Sequence, residues 1–353
     1  MATWTYFHNL DPFIIHLTGN FGLRWYSMAY IMGFLSAYYV ICWLIHKKLT
    51  PLSKKDVTDL IVWVAFGVIL GGRLGYALFY DQELLTKFDS AFPYWEFLKI
   101  YHGGLASHGG IIGLIVAAAL FARKRGFSTW HCLDLCALGG IGVFFGRIAN
   151  FINGELFGRV IEGKALLAVQ FPQEMLLWVS QKKIEYLQDL DKAVSVLKSG
   201  TSADTWRNWI YQFESIGEYR RQIYSHIYSL MQACEDGNRE VIQALKEVIS
   251  YRHPSQIYQA FLEGLLPFLV AWFLFNRKKP LKPGVIGGVW ALSYGVMRVV
   301  GEQFRMPDAH LGFQALGLTR GQWLSVFMLI CIAGYFFLVF KTQKTKIDGK
   351  STL

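Results

Sequence analysis

Three arginines interrupt long apolar stretches of this 353-residue chain: Arg73, Arg147 and Arg298. A charge at membrane depth is costly unless it faces a polar cavity or a partner, so each is a candidate for function. Arg147 opens the run GRIANFINGELFGR, in which a helix ends amid Asn, Gly and Glu. Irregular polar backbone at that depth is tolerated only where it lines a cavity. Arg147 and Asn150 are spaced i, i+3 and share a helix face, while Gly154 and Gly158 permit close approach of a headgroup or a backbone. Arg298, Glu302 and Arg305 follow i, i+4, i+7 spacing and form a polar ridge leading into Met306-Pro307-Asp308. Converging guanidiniums suit a phosphate, because the planar fork offers bidentate hydrogen bonds to its oxygens. His108, in YHGGLASHGG, can exchange a proton near neutral pH, although a lone histidine also serves packing. Tyr26, read alone, is an aromatic-belt anchor, and Arg73 read alone is equally an ion-pair partner.

The elements that must carry these residues are membrane spans. The chain is 53% hydrophobic, 16% aromatic and 17% charged, too apolar for an ordinary soluble domain of this size. Seven mostly apolar stretches recur near 25–45, 57–80, 104–122, 130–150, 256–275, 284–301 and 321–340, each long enough to cross ~30 Å of hydrocarbon as a helix. The net charge of +10 follows these spans and forms no nucleic-acid patch. Lys47, Lys48, Lys54 and Lys55 follow the first span; Arg123, Lys124 and Arg125 the third; Arg277, Lys278, Lys279 and Lys282 the fifth; and Lys341, Lys344, Lys346 and Lys350 the seventh. By the positive-inside rule the N-terminus is then outside and the C-terminus cytoplasmic. The expected fold is an all-α integral membrane protein of seven transmembrane helices. Arg73, Arg147 and Arg298 fall near the outer ends of the second, fourth and sixth, at one depth.

The organisation expected is an outer-face N-terminal segment with spans one to four over 1–150, an extramembrane (periplasmic) insert over 151–255, and spans five to seven with a basic tail over 256–353. Met1 to Phe21 has no basic start and no small-residue cleavage site, so it reads as a lead-in rather than a signal peptide. The insert is nearly balanced in charge. Its segment Glu174 to Lys198, with Ile184, Leu187, Val194 and Leu197, predicts an amphipathic helix; a break at Ser199–Ser202 precedes a second helical run from Asp204 to about Ser250. The five cysteines, including Cys132 and Cys136 on one helix face, form no metal or redox pattern. Neither a P-loop, nor a His-Glu-x-x-His zinc motif, nor a Gly-x-Ser-x-Gly elbow occurs, which counts against nucleotide hydrolysis, zinc proteolysis and serine acyl transfer.

At these residues the sequence resembles the prolipoprotein diacylglyceryl transferases, bacterial membrane enzymes. The run GRIANFINGELFGR carries most of the resemblance, joined by LRWYSMAYIMGF around Tyr26, LGGRLGYALFY around Arg73, GGLASHGGIIG around His108, RHPSQIYQAFLEG from Arg252, MRVVGEQFRMPDA from Arg298, and GQWLS at Gly321. The resemblance implies a multi-pass protein of the inner membrane that moves the diacylglyceryl group of phosphatidylglycerol onto the lipobox cysteine of a prolipoprotein and releases glycerol phosphate. It implies His108, Arg147, Arg298, Tyr26 and Glu302 as catalytic residues. Arg147, Asn150, Asn153, Glu155, Gly158, Arg298, Arg73 and Arg305 are implied for phosphatidylglycerol. No cofactor, metal or nucleic-acid partner is implied. Between Arg159 and Arg252 the insert is about twice the length expected of the family, and it could be a lid, a docking arm or an ornament. A transporter or flippase for an anionic lipid would also use such arginines, but it calls for inverted repeats and broken helices in corresponding halves, which the sequence does not display.

Overall fold

A computed structural model describes residues 4–18, 21–90, 92–99, 104–162, 165–197, 200–307 and 315–348. Almost all of its regular structure is helical. Among the described residues, five helical stretches are long and apolar enough to cross a bilayer: Trp25–His46, Lys54–Phe79, Thr129–Ile152, Ser255–Phe275 and Gly321–Lys341. The chain divides into two compact units, the first comprising Met1–Tyr30, Val143–Gly264 and Gly295–Phe327, the second the remainder.

In the second unit, helix α2 (Lys54–Phe79) starts at a capping box in which Ser53 and Asp56 satisfy each other's backbone N–H groups. It packs against α3 (Ser107–Arg125) along a seam of glycines. A Cβ at Gly67 would lie 2.5 Å from the Gly113 carbonyl oxygen, and one at Gly71 would lie 2.4 Å from that of Gly109, so only glycine allows this approach. The side chains of α1 (Trp25–His46) from Ile41 onward join α4 (Thr129–Leu138) and α13 (Leu266–Phe275) in a core of Leu44, Leu60, Phe121, Leu135, Leu138 and Ala271. Asp134, buried in α4, accepts hydrogen bonds from the Gly284 and Gly287 amides at 2.7 Å each. It thereby supplies the first turn of α14 (Val285–Gly301) with the acceptor that a helix start lacks.

Two expected spans are not uniform helices. The fourth breaks between α4 and α5 (Ile141–Ile152), where Gly139, Gly140 and Gly142 donate to carbonyls three residues back, one tight turn at a glycine pair. The fifth runs from α12 (Ser255–Gln259) through a π-helical turn at Ala260–Leu265 into α13. Such turns insert an extra residue and are frequent at functional sites.

In the first unit, the insert has its own core, in which Trp178, Leu187, Leu190, Trp206, Ile227 and Leu245 are fully buried. The single helix expected over Glu174 to Lys198 is instead three short ones, α6 (Glu174–Ser180), α7 (Ile184–Gln188) and α8 (Asp191–Ser195). A straight helix of that length would extend ~37 Å and carry Leu187 and Val194 away from the core that Trp178 occupies. The chain turns at Lys182, whose φ of 55° lies in the left-handed region. The second helical run is likewise divided, into α9 (Ala203–Tyr211), α10 (Gly217–Glu235) and α11 (Arg239–Lys246), capped by Ser202 before α9 and Asn238 before α11. Among the described residues, two small sheets accompany the helices. The N-terminal strand β1 (Trp4–Phe7) pairs in parallel with β4 (Leu167–Gln170) of the insert, and β2 (Phe13–Thr18) pairs antiparallel with β3 (Phe21–Arg24).

Candidate active site

Arg147 projects from α5 and Arg298 from α14, and one carboxylate receives both. Arg147 Nη2 donates to Glu263 Oε2 at 2.8 Å, and Arg298 Nη1 donates to Oε1 of the same group at 2.9 Å. Glu263 sits in the π-helical turn and is fully buried. The glycine that follows it lets the turn press on α5, since a Cβ at Gly264 would lie 2.4 Å from the Phe144 amide nitrogen. Arg298 Nη2 also stands 3.2 Å from Glu302 Oε2, four residues on and just past the end of α14. Glu302 is buried in turn and accepts from the Thr319 hydroxyl at 3.2 Å, while Gln322 holds the Thr319 amide at 2.9 Å. Two cations thus meet two carboxylates, which lowers the cost of placing charge in an apolar setting. The arginine side chains are 14% and 15% exposed, against 0% for Glu263, so the cationic side of the bracket is the one within reach of a ligand.

A second network lies at the end of α5. The Asn150 side-chain amide donates to the Tyr26 hydroxyl and to Glu155 Oε1 at 3.1 Å, and Asn153 donates to the same Glu155 oxygen at 3.3 Å. The helix stops there because Gly154 takes φ 64°, after which Leu156 at φ 55° turns the chain again. The run that follows is braced backbone to backbone. Gly158 donates to the His253 carbonyl at 3.0 Å, Arg159 to Phe304 at 2.9 Å, and Met306 to Phe157 at 3.3 Å. A Cβ at Gly158 would lie 2.3 Å from the His253 oxygen, so what approaches this glycine is neighbouring backbone. Arg305 enters through its backbone, bridging to Gly158 and accepting from Arg159 Nε at 3.1 Å.

Arg252 and Glu174 lock the insert to this run. Both are buried; the guanidinium is bidentate on the carboxylate and donates to the Gly158 carbonyl at 3.0 Å. His8, also buried, contacts the Ile152 carbonyl through Nε2 at 3.1 Å. Burial pushes its pKa down to about 4, a shift that the contact with Ile152 partly opposes.

Tyr26, Arg147, Asn150, Asn153, Glu155, Gly158, Arg298, Glu302 and Arg305 therefore all belong to the first unit. Arg73 and His108 belong to the second. Arg73 is buried there and donates to backbone carbonyls, from Nε to Phe97 at 2.7 Å, from Nη2 to Glu96 at 2.8 Å and from Nη1 to Gly104 at 3.2 Å. His108 lies in the first turn of α3, and its side chain is outside the described residues. Glu263 did not emerge from the sequence reading, although the rule that singles out the three arginines applies equally to an ionisable residue within 256–275. Arg252 and Glu174, 78 positions apart, offered no such signal. A shallow groove of about 480 Å³ on the insert is lined by Gln188, Arg207, Asn208 and Tyr211, and none of the residues above contributes to it.

Several apolar helices define a multi-pass membrane protein, in which two arginines are bracketed on a buried carboxylate and an Asn-Glu-Tyr network gathers at the end of α5. The family model for prolipoprotein diacylglyceryl transferase matches residues 12–339. The chain belongs to that family. Among its relatives, the phosphatidylglycerol–prolipoprotein diacylglyceryl transferase of Bdellovibrio bacteriovorus is 46% identical over 345 residues, covering 97% of this chain and 96% of the relative. The protein of the same name from Neisseria gonorrhoeae is 34% identical over 339 residues, with 95% and 98% covered, and that of Rhodospirillum rubrum 32% identical over 346 residues, with 97% of each covered.

Proposed function

We propose that this chain transfers the diacylglyceryl group of phosphatidylglycerol to the lipobox cysteine of a prolipoprotein, as the names of its relatives describe. The observation that carries the reading is the Arg147–Glu263–Arg298 bracket in a chain of this family. The cysteine sulfur forms a bond to the glyceryl carbon that bears the phosphate. The carbon–oxygen bond to that phosphate breaks, and its electron pair leaves with glycerol phosphate. The product is a thioether.

Negative charge develops on the departing phosphate, and two preorganised guanidiniums suit its stabilisation. Glu263 holds both forks in place, and Glu302 orients Arg298 from its other side. Tyr26, Asn150, Asn153 and Glu155 present polar groups to the headgroup, and Gly158 and Arg305 set the backbone beneath them. The nucleophile is the thiolate, so the thiol must lose its proton, and His108 is the base in this reading. The seven apolar stretches form seven spans of the inner membrane with the N-terminus outside, the C-terminus cytoplasmic and the site toward the outer leaflet; residues 151–255 form an extramembrane insert.

Purified protein incubated with phosphatidylglycerol and a lipobox peptide should add a diacylglyceryl mass to the peptide. Arg147→Ala and Arg298→Ala should abolish the product while the protein still inserts. An unchanged peptide mass with the native protein would sink the transferase reading; wild-type turnover in both variants would sink the phosphate clamp alone.

A further inference from the structure

The loop between α2 and α3 exposes large aromatic side chains. Phe88 is 71% exposed, Phe92 81% and Tyr94 58%. They are not left over from a poorly filled core, because the loop has an inner side of its own. Leu84 and Phe97 are buried there with Ala77 of α2, and Trp95 stacks on Phe97 with ring centroids 4.9 Å apart. The Trp95 indole donates to the Leu85 carbonyl at 3.2 Å, and paired backbone bonds, Asp89 to Tyr94 and Glu96 to Lys87, tie the two limbs. The aromatic residues therefore point outward from a well-built hairpin.

What covers them follows from where the loop begins. The face of α2 beside its glycine seam carries Phe66, Leu70, Leu74 and Leu78 at four-residue spacing, all exposed, and ends in exposed Phe79 and Tyr80. In a membrane-spanning helix that stripe faces lipid. The loop leaves the helix at Asp81, where the apolar span ends, and after a short polar stretch of Gln82, Glu83, Thr86 and Lys87 its exposed aromatic residues resume the apolar character of the lipid-facing stripe. Aromatic rings beside a lysine such as Lys87 suit the boundary between acyl chains and headgroups.

We propose that residues 81–90 and 92–99 form a foot docked on the headgroup–acyl boundary of the bilayer, and that Arg73 is the positioning residue that fixes it to α2. Arg73 donates to the carbonyls of Glu96 and Phe97 on the inner limb and to Gly104 at the approach to α3. One guanidinium thus joins the span, the foot and the segment leading to the helix of His108. Gly104 has φ 76°, and a Cβ there would lie 2.6 Å from Arg73 Nη1, so the backbone is shaped around this side chain. The foot is independent of the transfer chemistry proposed above.

The test places the photocrosslinker p-benzoylphenylalanine at Phe92, and separately at Leu70 of the span, in full-length protein reconstituted into vesicles of phosphatidylglycerol and phosphatidylethanolamine. Irradiation should give lipid adducts at both positions, seen by mass spectrometry. A crosslinked dimer at position 92, or no lipid adduct there while Leu70 gives one, would overturn the foot. With Arg73→Gln the adduct at 92 should fall severalfold while that at 70 persists; an unchanged yield at 92 would overturn the role of Arg73. Should Arg73→Gln lose both adducts through misfolding, Arg73→Lys, which keeps the charge and loses the fork, decides by the same comparison.

Discussion

Arg147 and Arg298 approach each other only because Glu263 stands between them. With the carboxylate replaced, two guanidiniums repel across an apolar setting, and breaking such a pair by removing one partner costs about 3–5 kcal/mol. Glu263→Gln should therefore lower the thermal unfolding midpoint in detergent and abolish transfer to a lipobox peptide. A variant as stable and active as the native protein would show that the bracket does not organise the arginines. His8 gives a prediction of opposite character. Its folded pKa of about 4 lies below the ordinary 6.5 because burial disfavours the charged ring. The neutral form is the folded one, so its contribution is fully present above pH ~6.5 and is lost as the pH falls toward 4, by about 3 kcal/mol in total. The protection factors of the β1 and β4 amides, taken against the intrinsic exchange rate at each pH, should fall over that interval, and His8→Phe should flatten the dependence. An equal fall in the variant would remove His8 as the cause.

Among the elements, the end of α5 is held by backbone bonds from the segment before α12 and from the residues after α14, with Gly158 at the crossing. The atoms a Cβ there would strike first are backbone, the His253 and Phe304 carbonyl oxygens at 2.3 and 2.7 Å. Overpacking against backbone cannot be relieved by a rotamer change, and Gly158→Ala should cost about 3 kcal/mol. Gly146, in the helix itself, has nothing within 4 Å of an added Cβ. Gly146→Ala should leave the unfolding midpoint unchanged or slightly raised, as alanine is the better helix former. The pair of midpoints checks the claim, and equal losses would refute it.

For the whole molecule, the proposed orientation rests on the distribution of basic residues. Cysteines introduced at exposed Lys278 and at exposed Tyr211 should react with a membrane-impermeant maleimide from opposite sides, position 278 from the cytoplasm and position 211 from outside. Labelling of both from one face would break the seven-span topology, and the reverse pattern would invert it.

Composition and apolar period were sufficient to announce helical spans, because a hydrophobic stretch long enough to cross a bilayer has few alternatives to a helix. The run around Arg147 marked the place where the polar chemistry gathers. The sequence could not show that a glycine pair divides the fourth span, or that the fifth contains a π-helical turn, since each depends on what packs beside it. Nor could it show that the apolar period of Glu174 to Lys198 serves three short helices rather than one; burial repeats along the chain either way, and the turn at Lys182 answers to the shape of the core. Partners remote in sequence were the least legible. Local spacing revealed Arg298 with Glu302 and placed Asn150 on the face of Arg147, whereas Asn153 and Glu155 entered through the family resemblance. Glu263 joins Arg147 across 116 positions and Arg298 across 35. Arg73, implied for phosphatidylglycerol by the resemblance and read alone as equally an ion-pair partner, spends donors on the carbonyls of Glu96, Phe97 and Gly104. Residue type and depth announce that a charge must be satisfied, whereas only the tertiary structure decides by which atoms.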